Sequence, residues 1–253
     1  MRISRLIVNA DDFGYSEAVN RAILRGFETS LLTSTSIMAN MPGFDDAVGL
    51  VGRNDVLVHK VGLHLNLTEG FPLSRTLTSC PAFCGEGGRL VYRHDRPLFR
   101  LSRKERAAVY DELRMQLERV LAAGIRPLHL DSHHHVHTEW AIAPLVCRLA
   151  RTYGISRVRL TRNMGPVRGW GRRWYKKLFN YWFLGRRSGL VDNTDYFGGI
   201  ADMRYFLNSR GRRRELSIEI MVHPRFDSSQ RLVDSDGRDL REELEKMRIL
   251  PTL

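Results

Sequence analysis

HLDSHHHVH, residues 129–137, follows Arg126-Pro127-Leu128 and gathers five of the chain's nine histidines. Taken as an extended run, RPLHLDSH puts His129, Asp131 and His133 on one face and Leu128 and Leu130 on the other, because strand side chains alternate with period two. His133 then stands at the strand's end, with His134 to His137 in the loop before a helix that begins near Ile142. A strand that spills polar residues into a loop ahead of a helix is what the carboxyl face of a parallel α/β protein requires.

The pattern repeats outward. Arg5 to Ala10 (RLIVNA) is a compact apolar strand, and Ser16 can cap a helix with Val19, Ile23 and Phe27 on one face. LLTSTSIMAN (31–40) and KVGLHLNL (60–67) are further strands separated by a helix near 43–51. After a stretch punctuated by Gly and Pro (70–97), Ser102 and Glu105 form a capping-box pair that opens a long helix through Val109, Leu113, Leu117 and Leu121. SRVRLTR (156–162) and LSIEIMVHP (216–224) are the later strands, and RDLREELEKM (238–247) is a closing helix. Strand and helix in alternation over 253 residues predict an α/β fold, a distorted, TIM-like (β/α) barrel, with a doubly wound open sheet as the alternative. With no repeat, low-complexity run or linker, residues 1–253 are expected to form a single domain.

Composition narrows the class. No apolar run reaches the roughly 18 residues that a membrane span needs, and MRISRLIVNADDFG lacks the pattern of a signal peptide, so a cytoplasmic protein is expected. Cys80, Cys84 and Cys147 fit neither a disulfide framework nor a zinc knuckle and are read as reduced thiols. A net charge of +12 leaves a polyanionic partner to be weighed without naming one.

The strand ends carry the chemistry. The first exits into Asp11-Asp12-Phe13-Gly14, two adjacent carboxylates for which a nearby cation is a remedy; otherwise Asp11 caps a turn and Asp12 is solvated. His64 lies among apolar neighbours in KVGLHLNL, where a lone histidine is commonly a satisfied core residue unless a partner exists. Imidazoles concentrated at 129–137 supply that partner, since imidazole is a common ligand of divalent transition metals. Asp12, His64 and His133 would then form a two-histidine, one-carboxylate metal site with open positions, while Asp131 and the other imidazoles orient ligands or touch substrate. His223, ending the late strand before Pro224, is a candidate proton donor or else a turn cap.

VNADDFG, GLHLNLTEG, HLDSHHHVH and MVHP, in this order, resemble the YdjC-like carbohydrate deacetylase family, which includes chitooligosaccharide deacetylases and hopanoid-associated relatives. The resemblance runs from residue 5 to about 226 and implies a distorted (β/α) barrel related to polysaccharide deacetylases. It implies one divalent ion, Mg2+ or Zn2+, on residues matching Asp12, His64 and His133, with Asp11 as general base and His223 as general acid. The implied reaction is hydrolysis of an N-acetyl group from an amino sugar or N-acetylated oligosaccharide. The alternatives are a metal-dependent phosphoester hydrolase, with Arg159 and Arg162 clamping an anion, and a non-catalytic sugar-binding relative.

The stretch around 165–187 and the chain end after Glu245 match the family less well. RGWGRRWYKKLFNYWFLGRR (168–187) interleaves basic and aromatic side chains without one acid. Its readings are a helical insertion with core aromatics and solvated cations, a lid over the sugar or a homodimer contact, and a peripheral membrane contact. A nucleic-acid platform is the least favoured reading, and no nucleic-acid partner is expected. Contact with lipid would make a lipid-linked amino sugar a candidate substrate.

Overall fold

The computed structural model describes residues 2–92, 98–166, 170–184, 189–190, 192–209 and 215–247. Residues 167–169 and 185–188 of the basic aromatic stretch, and the chain from 248 onward, lie outside the described residues.

Six parallel strands form one sheet: β1 (Arg2–Phe13), β2 (Ser34–Ile37), β3 (Val61–Leu65), β4 (Leu130–Ser132), β5 (Tyr196–Gly199) and β6 (Glu215–Val222), in the order β4-β3-β2-β1-β6-β5. The sheet curls, and the extended segment 157–164 spans the gap between its two edges. Val158 forms a parallel bridge to Leu130 of β4, while the Asn163 N–H donates to the Phe197 carbonyl of β5 at 3.0 Å. The result is the distorted barrel, and the open doubly wound sheet is excluded by that closure.

SRVRLTR was expected as a full strand, but only Val158 bridges. Asparagine side chains take two of the segment's other backbone donors: Asn193 Oδ1 accepts the Val158 N–H at 3.2 Å and Asn180 Oδ1 accepts the Thr161 N–H at 2.9 Å. The ladder is therefore short: the Arg159 N–H donates to the Leu130 carbonyl at 2.9 Å and the Leu130 N–H to the Arg157 carbonyl at 3.0 Å, and the asparagines serve the donors beyond it.

Helices α1 (Glu17–Glu28), α2 (Phe44–Arg53), α3 (Arg75–Thr78), α4 (Arg103–Ala122), α5 (Ala143–Thr152), α6 (Trp170–Phe179) and α7 (Ile200–Ser209) fill the crossovers, and α8 (Leu240–Lys246) follows β6 after a short hairpin. Ser16 caps α1 by accepting the Val19 N–H, and Ala22, Ile23 and Phe27 are its buried face. Ser102 and Glu105 make the reciprocal capping box of α4, whose Val109, Leu113 and Leu117 are buried. Fully burying such aliphatic side chains contributes about 1.5–3 kcal/mol each. All three cysteines are buried and unpaired with one another.

Alternation along the strands divides the side chains into two sets. Val8, Ala10, Leu63, Leu65, Leu130, Val158, Ile218 and Ile220 belong to the apolar core. Asn9, Asp11, Ser36, His64, Asp131, Arg159 and Glu219 are also buried, and they hydrogen-bond to one another from different strands. The barrel interior is therefore a polar network where apolar layers are the common filling.

Candidate metal centre

Asp12, next to last in β1, lies in the left-handed region at φ 68°, a conformation that aspartate tolerates better than most residues. This turn sends two neighbouring carboxylates apart. Asp11 enters the interior network, and Asp12 faces the histidines. Gly14, at φ +89°, completes the exit: its N–H donates to the buried Asn20 Oδ1 at 2.6 Å, and a Cβ there would sit 3.0 Å from the Met38 carbonyl.

The parallel register pairs His64 of β3 with Asp131 of β4. His64 Nδ1 lies 2.8 Å from Asp131 Oδ1 and 3.2 Å from Ser36 Oγ, which leaves Nε2 aimed at Asp12 Oδ1, 3.2 Å away. A carboxylate on the far nitrogen is the usual way a protein fixes the tautomer and angle of a metal-binding imidazole. Burial alone would lower the His64 pKa; the Asp131, Asp12 and Asp11 carboxylates outweigh it and raise it to about 10, so this position favours positive charge.

His133 is the first residue after β4, and its Nδ1 lies 2.9 Å from Asp12 Oδ1. Its other nitrogen is buried without a hydrogen-bond partner, 3.6 Å from Glu69 Oε1. Burial would raise the Asp12 carboxyl, but hydrogen bonds and charge from His133 and His64 hold it well below the usual range. One ligand atom from each of Asp12, His64 and His133 falls within 4.8 Å of the others, so the three predicted ligands do converge. A carboxylate with two imidazoles, one carrying an orphaned nitrogen, fits a divalent transition ion.

Arg159 lies beneath this triad, fully buried. Its Nη1 and Nη2 grip Asp11 at 2.6 and 2.7 Å, Nη2 also lies 2.8 Å from Asp131, and Nε donates to Glu219 at 2.7 Å. Burial would lower its pKa, and the three carboxylates raise it well above the ordinary arginine value. Arg157 adds a contact to Glu219 at 3.4 Å and donates to His129 Nδ1 at 2.9 Å. Asp11, Asp12, Asp131 and Glu219 thus bring four carboxylates against the two guanidinium groups of Arg157 and Arg159, an excess of negative charge that favours a cation on His64 or at the triad.

The expectation that Arg159 and Arg162 clamp a phosphate finds no support in this geometry. Arg159 is committed to three carboxylates, and Arg162 pairs with Asp202 at 2.6 Å. The missed role had a signal: Arg157 and Arg159 alternate with Val158 and Leu160, and Glu219 stands between Ile218 and Ile220, so acid and base both occur at inward positions of apolar strands.

His223 follows the last paired residues of β1 and β6, Ala10 and Val222, so it enters the carboxyl face beside Asp11. It is partly exposed; its N–H donates to Asp234 Oδ1 at 2.6 Å and its Nδ1 lies 4.0 Å from the same oxygen. Sequence reading passed over Asp234. The remaining histidines take other parts. His134 and His135 are left-handed at φ 50° and 57°, and His134 lies at the exposed rim, 4.0 Å from Glu69. Burial pushes His129 and His135 down, and His137, with Nδ1 2.5 Å from Ser132 Oγ, is pushed down to about 3. They are neutral packing groups. Glu69 reaches the rim through Asn66, whose side-chain oxygen accepts the Thr68 and Glu69 N–H groups.

Residues 5–249 match the family described as YdjC-like protein. The carbohydrate deacetylase of Brevibacillus brevis is 44% identical over 151 residues, which span 60% of this chain and 57% of that protein. That of Halalkalibacterium halodurans is 32% identical over 225 residues, 88% of this chain and 85% of that protein. That of Vibrio parahaemolyticus is 31% identical over 243 residues, 95% and 86% of the two chains. Among solved structures, an Enterococcus faecalis protein named as a candidate for cellobiose-phosphate cleavage superposes with a TM-score of 0.68 at 23% identity, covering 99% of this chain and 97% of that one, a likeness of fold.

Proposed function

The chain belongs to the YdjC-like protein family, and from that premise we propose that it is a metal-dependent hydrolase that removes an N-acetyl group from an amino sugar or N-acetylated oligosaccharide. The observation that carries this reading is the convergence of Asp12, His64 and His133 above a buried cluster with more carboxylates than guanidinium groups.

Asp12, His64 and His133 would hold the ion; two imidazoles favour Zn2+ or another transition ion over Mg2+. When bound, such an ion supplies a Lewis acid and lowers the pKa of water from 15.7 towards 7. Asp11 is the general base. Arg159 and the Asn9 Nδ2 donor at 2.8 Å fix its carboxylate, so it takes the proton of the attacking water without reorganising. The water oxygen bonds to the acetyl carbon, the C–N bond breaks, and His223 delivers a proton to the departing amine. Acetate and a free amino sugar leave. Asp234 accepts the backbone N–H of His223 and so holds that residue at the mouth.

Against a phosphoester hydrolase stands the commitment of both candidate arginines to carboxylates. The test is acetate release from N-acetylated chitooligosaccharides by wild-type and Asp11→Asn protein of measured metal content. Activity should fall roughly 10²- to 10⁴-fold with the metal retained. A loss of less than about tenfold removes Asp11 as base. Phosphate release in place of acetate would favour the rival hydrolase, and no turnover on any acetylated sugar with metal bound would leave a binding protein.

A further inference from the structure

We propose that α6 and the turn that follows it dock this protein on an anionic lipid bilayer. The helix has two stripes. Tyr175, Phe179 and Phe183, spaced by four, pack on Trp140: its Nε1–H donates to the Tyr175 hydroxyl, and its ring stands edge-on to Phe179 at 5.4 Å and Phe183 at 5.0 Å. Further ties hold the element down, from Lys176 Nζ to the Arg162 carbonyl at 2.9 Å and from Cys147 Sγ to the Phe183 carbonyl at 2.7 Å. The inner stripe therefore needs no partner outside the chain.

The other stripe faces solvent. Trp174, Leu178, Tyr181 and Trp182 are 46, 52, 54 and 49% exposed, and Lys177 lies over the Trp174 ring at 5.1 Å. Half-exposed aromatic and leucine side chains at this density cost free energy in water and mark a contact surface. Charge selects the occupant. Residues 168–187 hold seven Lys or Arg and no acid, in a chain of net charge +12. Tryptophan and tyrosine with leucine between cations is the composition of an interfacial helix, its rings at the headgroup level and its cations on anionic lipid. A second copy of this chain suits the face poorly, since a two-fold contact would set this acid-free segment against its own like charges. No helix among the described residues is long and apolar enough to cross a membrane, so the contact is peripheral. Trp140 lies three residues beyond His137, so docking would set the mouth of the barrel close to the lipid surface.

The test is co-sedimentation with vesicles of phosphatidylcholine alone and of phosphatidylcholine with one third phosphatidylglycerol, at low and high salt. Wild type should pellet with the anionic vesicles only, and less at high salt. The triple variant Trp174→Ser, Leu178→Ser, Trp182→Ser and the single variant Lys177→Glu should each weaken binding, the triple one by about tenfold or more. Both should keep wild-type acetate release on water-soluble chitooligosaccharides and wild-type circular dichroism. No pelleting, equal pelleting with neutral vesicles, or undiminished binding by the triple variant would overturn the proposal. So would a wild-type dimer that the triple variant dissociates, which gives the face to a second copy, or displacement of the triple variant's phenotype onto single-stranded oligonucleotide binding. Absence of acetate release leaves vesicle binding untouched, so this inference and the deacetylase reading fail separately.

Discussion

Replacing Arg159 with methionine keeps an unbranched apolar stem and removes the guanidinium with its charge, which tests what that group does for the barrel interior. In the native chain it is the shared partner of Asp11, Asp131 and Glu219, all buried. Removing one member of a buried ionic group typically costs 3–5 kcal/mol, because the remaining charges stay desolvated and unmatched. For 253 residues the unfolding entropy makes 1 kcal/mol worth about 2 °C, so the melting temperature should drop by roughly 6–10 °C. The loss should depend on pH. Burial would raise Asp131, but Arg159, His64 and His129 hold it well below its ordinary value; that contribution is present above an unfolded pKa of about 3.9 and is lost as pH falls through the folded one. The gap between wild type and Arg159→Met is therefore widest near neutrality and closes in acid. Arg162→Met is the control, three residues along the same segment but paired with Asp202 at the surface, and should cost about 1 kcal/mol or less. Calorimetric melts of metal-free protein at several pH values decide it. If Arg159→Met melts within about 2 °C of Arg162→Met at neutral pH, the interior charges are not the coupled group described above.

A Cβ on Gly62 would fall 2.3–2.6 Å from three atoms of the His129 ring, so Gly62→Ala should cost about 1–3 kcal/mol or more. Gly52, inside α2 with nothing within 4 Å, should accept alanine with a gain of up to about 1 kcal/mol, and paired urea melts would expose a reversal of the two. His137, pushed down to about 3 by burial, binds a proton only when unfolded, so stability should fall as pH drops below about 6.5, by at most roughly 5 kcal/mol near pH 3. His129 and His135 act in the same direction, and a urea midpoint that stays flat from neutrality to pH 5 would contradict their being neutral.

Most of the fold was legible because its cues are local. The capping box of Ser102 and Glu105, the apolar run of β1 and the alternation of KVGLHLNL each act within a few residues. The Tyr196–Ser209 run was not legible: β5 is four residues ending in two glycines, and α7 follows without a connecting turn. The irregular segment 157–164 misled in the opposite sense. Its alternation is that of a strand, yet it pairs with β4 only around Val158, and Asn193 and Asn180 supply the acceptors for the Val158 and Thr161 N–H groups.

The site divides along the same line. Asp12, His64 and His133 can be picked from sequence because each stands at the end of a strand and has a ligand's chemistry on its own. Arg159 cannot, because its meaning depends on Asp11, 148 positions away, and on Glu219, 60 away. Seen alone, an arginine on a strand suggests an anion from outside; only the folded chain shows that the anions it meets are the protein's own. The difference has a functional consequence. An arginine held open would favour phosphate, whereas one closed on Asp11 fixes that carboxylate and leaves excess negative charge for a cation at Asp12, which is the arrangement the proposed amide hydrolysis calls for.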